Sequence, residues 1–108
     1  MPKTLIERVC DHRSCNPEAA LGILAGDLLS TSQRFWTAVF SPWCDELREH
    51  HHEVVKDLAR CKDYNEIRNS ILYWRQRSPD SGFLGRQFRV HTSQALRVFE
   101  RYDREVGS

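Results

Sequence analysis

An Asp-x-x-Glu pair at Asp63 and Glu66 sits where one run of helix-spaced apolar residues ends and another begins. No other feature restricts the fold as strongly. A side-chain oxygen of an N-cap Asp accepts from the amide three residues on, and a Glu there reaches back to the cap amide. Leu47, Val54 and Leu58 arrive at helical spacing on one side, and Ile67, Ile71 and Trp74 leave on the other. One helix therefore stops near Lys62 and the next starts at once, which favours antiparallel packing of two arms. The expected fold class is all-α: an antiparallel helical hairpin with kinked long helices, turned about residue 62. Arms that fold back at their Ser-Pro breaks would give a four-helix bundle, and hairpins that associate would give an oligomeric bundle.

The first arm opens at Asn16-Pro17-Glu18, with Asn as cap, Pro at the first helical position and Glu near the positive helix end. Leu24, Leu28, Phe35 and Val39 then mark an amphipathic stripe. Gly22 and Gly26 weaken that helix by about 1 kcal/mol each relative to Ala, and are expected to admit another backbone closely. Pro42 kinks or restarts the arm, after which Phe40, Trp43, Leu47, His50, Val54 and Leu58 form a packed seam. The second arm alternates steps of four and three from Ile67 through Trp74, Ser78, Gly85, Phe88, Ala95, Phe99 and Tyr102. The phase is kept across Ser78-Pro79-Asp80-Ser81-Gly82, which favours a kinked but continuous arm over a full break. Residues 1–15 show no cap and no sustained period beyond one short helical turn at Leu5, Ile6 and Val9, so they read as a flexible or loosely docked N-terminal arm, with residues 16–108 as the helical hairpin domain.

With 108 residues and a net charge of +1, the chain suits one domain, and nothing in its total charge calls for nucleic acid. No apolar run is long enough to span a bilayer, and Met1-Pro-Lys-Thr-Leu-Ile-Glu-Arg-Val lacks the apolar core of a secretory signal. A cytoplasmic location and reduced thiols are the resulting expectations.

Candidate chemistry is thin. Cys10-Asp11-His12-Arg13-Ser14-Cys15 resembles half of a zinc site but has no second paired half. In Glu49-His50-His51-His52-Glu53 consecutive side chains point about 100° apart on a helix, so the three histidines do not converge on one ion. His50 falls in the seam near Trp74, with His51 and His52 expected at its flank or in solvent. No nucleophile elbow and no phosphate-cradling loop is present, so neither an enzyme nor a cofactor is expected. Arg75, Arg86 and Arg97 recur every eleven residues. On an unbroken helix they would form a basic ridge, extended by Arg101 and Arg104. Glu100, Asp103 and Glu105 dilute it, which favours a solvated face over a nucleic-acid site.

Apolar surface is the stronger signal. Phe35, Trp36, Phe40, Trp43, Trp74, Phe83, Leu84 and Phe88 exceed what one two-helix seam buries, so they are the candidate interaction surface.

The layout from about Ser32 to Val106 resembles the phasin family, the proteins that coat bacterial polyhydroxyalkanoate granules. An aromatic-bearing helix (Phe35, Trp36, Trp43) runs into Leu58-Ala59-Arg60-Cys61-Lys62-Asp63. Tyr64-Asn65-Glu66-Ile67 and a second long helix follow directly. The resemblance implies a non-enzymatic helical protein that forms homo-oligomers and adsorbs to a hydrophobic polymer granule. The alternative is a helical protein–protein interaction module, an adaptor or small regulator with one partner protein.

Overall fold

Four N-terminal signals place the helices. Thr4 and Glu7 form a capping box, with Thr4 Oγ1 accepting from the Glu7 amide and Glu7 accepting from the Thr4 amide. Asn16 Oδ1 accepts from the Ala19 amide at 2.8 Å, and Pro17 takes the first helical position. Asp63 Oδ1 accepts from the Glu66 amide at 2.9 Å. The return bond from Glu66 goes to the Lys62 amide at 2.7 Å rather than to Asp63. Gly82, at φ +84°, starts the last helix. The computed structural model describes residues 3–30, 45–77 and 82–107, with backbone alone at Leu47, Phe83 and Leu84. Within these the protein is all-α: α1 Leu5–Arg13, α2 Pro17–Ser30, α3 Asp45–Ala59, α4 Tyr64–Gln76 and α5 Gly82–Val106.

Two sets of contacts fix the directions. His50, near the start of α3, meets both Trp74 at the end of α4 and Phe88 near the start of α5. Arg8 reaches the Lys62 carbonyl before α4 and the Asp103 side chain and Gly107 carbonyl at the end of α5. So α4 runs antiparallel to both α3 and α5, and α3 and α5 run side by side in one direction. The second arm is therefore two helices rather than one. It reverses between Gln76 and Gly82, which corrects the expectation of one kinked helix. A four-three alternation cannot separate one helix from two when the break happens to preserve phase, because both halves bury a stripe against the same core. The corresponding question at Pro42 lies outside the described residues.

The N-terminal arm is the second correction. Leu5 and Val9 are fully buried and belong to the one core, with Leu24, Leu28, Leu58, Ile67, Ile71, Ala95 and Phe99. The Leu5 amide donates to the Cys61 carbonyl at 2.7 Å, joining α1 to the hinge. Arg8 is buried, donating to the Asp103 carboxylate at 2.6 Å and to the Lys62 carbonyl at 3.1 Å. α1 thus caps one end of the bundle, held by an apolar pair and a guanidinium that ties it to both the hinge and the end of α5. Asp27 on α2 accepts from the Tyr102 hydroxyl and lies 3.5 Å from Arg101 on α5. A third difference concerns Gly22 and Gly26: a Cβ at either would meet nothing within 4 Å, so no backbone among the described residues approaches them.

Candidate functional site

α3 and α4 are joined by a short hinge, yet they pack on each other less than either packs on α5. Their outer line is an open groove. At the hinge end it is lined by Asp57, Arg60, Cys61, Glu66, Asn69 and Ser70. The central part has a volume of about 640 Å³, with Glu53, Lys56, Asp57 and Arg60 on the α3 wall and Asn69, Ser70, Tyr73 and Trp74 on the α4 wall. The far end takes in Glu46, Glu49, His50, Arg77 and Phe88. From Glu46 to Cys61 the groove follows α3 for roughly 22 Å at 1.5 Å per residue.

The walls are set by specific bonds. Trp74 Nε1 donates to Asp57 Oδ2 at 2.8 Å, pinning the indole across the groove. The Cys61 thiol lies 3.7 Å from the Asp57 carbonyl and 3.6 Å from Ser70 Oγ. Burial pushes that thiol up, with Asp57, Glu66 and Asp63 acting in the same direction against the Ser70 hydrogen bond. It is held protonated and is a poor nucleophile. Glu49, Glu53 and Lys56 make no ion pair among the described residues, so their charges are available to a ligand. Tyr73 is 49% exposed, which puts an aromatic edge beside the polar walls. Such a groove offers hydrogen bonds, both charge signs and an aromatic anchor.

Behind its far end lies a buried histidine cluster. The His50 ring stacks on Phe88 at 4.2 Å and meets Trp74 edge-on at 5.5 Å, as its place in the seam predicted. His51 was expected at the flank or in solvent but is buried, with Nδ1 3.0 Å from His91 Nε2. One of these two nitrogens donates and the other accepts, so each ring keeps a neutral form. Of the three consecutive histidines only His52 is exposed. Desolvation pulls His50 down to about 4. It does the same to His51, with His52 and His50 adding to it. His91 is lowered too, by burial and then by His50 and His51. Among the described residues no group of three His, Cys, Asp or Glu is arranged to hold a metal.

The predicted surfaces fare unevenly. Trp74 and Phe88 are half-buried and serve the groove and the histidine stack rather than an outer apolar face. Phe35, Trp36, Phe40 and Trp43, and the side chains of Phe83 and Leu84, lie outside the described residues. The ridge does not form as drawn. Arg75 is on α4, whereas Arg86, Arg97 and Arg101 are on α5 running the other way. All four are exposed, and Arg101 is engaged with Asp27 and Glu105. Sequence reading missed Lys56, Arg60, Asn69 and Tyr73 as groove residues. Their only signal was a polar outer stripe on both helices at the hinge, which reads equally as solvated surface. Among the described residues no helix is long and apolar enough to cross a membrane. Comparison with protein families, curated proteins and solved structures finds no match for this chain.

Proposed function

We propose that this protein is a non-catalytic helical interaction module that seats a segment of a partner protein in the α3–α4 groove. The observation that carries this is the groove itself: a long open cleft with charges of both signs and the Tyr73–Trp74 edge as anchor. Its length suits a short helix or an extended peptide. The unpaired Glu53 and Lys56 would give register through charge complementarity, and the aromatic edge would supply most of the affinity. The test is differential. A photoreactive side chain at Asn69 should crosslink to one polypeptide in stoichiometric yield. Co-purification of that polypeptide should fail for Lys56→Glu/Arg60→Glu and for Tyr73→Ala, yet survive for Arg97→Glu on α5. Equal retention by groove and control variants would reject the reading.

A coat on a polyester granule is the second reading, favoured by the phasin-like hinge layout. Tyr64 and Leu72, two helical turns apart on α4, are both exposed and would provide the adsorbing stripe. Fractionation separates the two. A granule protein sediments with polymer in detergent-free extract, whereas an interaction module stays in the supernatant with its partner.

A further inference from the structure

The Cys10 to Cys15 hexapeptide, set aside above as half a metal site, forms a closed turn. Ser14 is left-handed at φ 53°, and its amide donates to the Cys10 carbonyl. The Cys15 amide donates to the same carbonyl at 3.2 Å. That six-to-one bond around a left-handed residue is a Schellman motif, which brings the first and last residues of the turn together and is frequently accompanied by a side-chain contact between them. Here both are cysteines, and the neighbouring Cys15 is among the groups that push the Cys10 thiol up. Standard bond lengths keep the two Cα atoms within about 7 Å, against the roughly 4.4–6.8 Å that a disulfide spans. Both residues are free thiols, partly exposed, and lie over the core at the corner between α1 and α2. The geometry of a pre-formed dithiol separates them from Cys61, which is buried against the hinge.

We propose that Cys10 and Cys15 are a reversible redox pair that a small-molecule disulfide of the glutathione class converts to an intramolecular disulfide. The Cys15 thiolate attacks one sulfur of the oxidised reagent, forming a mixed disulfide and expelling one thiolate. Cys10 then loses its proton to solvent and attacks Cys15 Sγ, expelling the second thiolate. Two electrons pass from the cysteine pair to the reagent, one disulfide is exchanged for another, and both protons end on the released thiols. The order of attack follows from the surroundings of Cys10. Burial, the adjacent Cys15, and the Asp11 and Glu7 carboxylates hold its thiol protonated, so it acts second, as the resolving group. The bond fixes the Ser14 turn and with it the angle between α1 and α2.

The test titrates the full chain in buffers of varied reduced-to-oxidised glutathione ratio, followed by alkylation and peptide mapping. The expected product is a Cys10–Cys15 link, seen as the loss of two hydrogens, reversed by dithiothreitol while Cys61 still alkylates after unfolding. The folded chain should reach half-oxidation in buffer about tenfold more reducing than the same chain in urea, because only the folded turn holds the thiols together. Cys10→Ser should accumulate a glutathione adduct on Cys15, and Cys15→Ser should leave Cys10 largely unmodified. No link in the folded chain, or a link no more favourable than in urea, overturns the proposal. A preference for adducts on Cys10 overturns the assigned order.

Discussion

Three buried histidines make stability fall steeply with acid in a window where few other groups titrate. The relevant perturbation is a drop from pH 7 to pH 5. His50 and His51 are 7% and 2% exposed, and each titrates near 4 in the fold against 6.5 when free. Above 6.5 both states bind no proton at these rings, and the full stability is present. Between 6.5 and about 4 the unfolded chain binds protons that the folded chain refuses, so stability falls with decreasing pH. Below 4 both states are protonated and the loss levels off. At about 1.4 kcal/mol per pH unit per group, each ring removes about 2 kcal/mol by pH 5. Together they remove about 4 kcal/mol, out of the roughly 5–15 kcal/mol typical of a domain. His91, lowered by the same causes, adds to the fall. Glu46, Glu49 and Glu53 from α3 and Arg77 from α4 line the His50 side of this cluster, with Phe88 and His91 facing it from α5. Glu7, whose carboxyl is lowered by its Thr4 bonds, sheds its contribution only below 4.5 and does not enter the window. Urea unfolding followed by circular dichroism at half-unit pH steps measures the slope. It should exceed two protons taken up on unfolding near pH 5, and His50→Phe, which preserves the stack on Phe88, should reduce it by one. A wild-type slope below one proton between pH 6 and 5, or His50 and His51 ring signals titrating near 6.5 in the folded chain, would refute the reasoning.

Three further substitutions probe the frame that holds the groove. Arg8→Ala should cost about 3–5 kcal/mol in chemical denaturation, since it leaves the Asp103 carboxylate and three carbonyls without their buried partner. Leu5→Ala should lose about 2–5 kcal/mol by the same measurement, whereas a loosely attached arm would show almost none. Gly22→Ala and Gly26→Ala should each raise stability by about 0.5–1 kcal/mol, read as a higher thermal midpoint, because open space surrounds both sites.

What the sequence made legible was local. The Asp63 and Asn16 caps depend on a side chain and an amide three residues away, and both appear as read. The His50–Trp74 contact came from counting antiparallel residues about the hinge, and that count holds because α3 and α4 do run in opposite directions. Thr4-x-x-Glu7 is a signal of the same kind and was readable in principle. It was passed over because a nine-residue helix shows barely two turns of periodicity, too few for a stripe to stand out. The reversal after Gln76 was not legible by phase, since Ile67, Ile71, Ala95 and Phe99 reach the same core from two helices. Nor was the burial of His51, which depends on α5 bringing His91 to within 3.0 Å. Arg8 illustrates the limit most sharply: its partners are more than fifty residues away, at Lys62, Asp103 and Gly107.

The reversal also bears on function. A two-arm hairpin also leaves Leu21, Ile23 and Val98 off its seam, beside the aromatic residues that led to the expectation of an outer apolar surface. With α5 folded back against α3 and α4, Val98 is 3% exposed and Leu21 and Ile23 are packed against the core. These three residues are thus absorbed within the chain. The same move opens the groove. His50 stacks on Phe88 from α5 while touching Trp74 only edge-on, so α5 occupies the inner side of the α3–α4 pair and holds the two helices apart. The outer side is left to Glu53, Lys56, Arg60, Asn69 and Tyr73, which have no fourth helix to meet among the described residues. A polar cleft with one aromatic edge discriminates among peptides better than it adsorbs to a featureless polymer. On that physical ground the interaction module takes precedence over the granule coat.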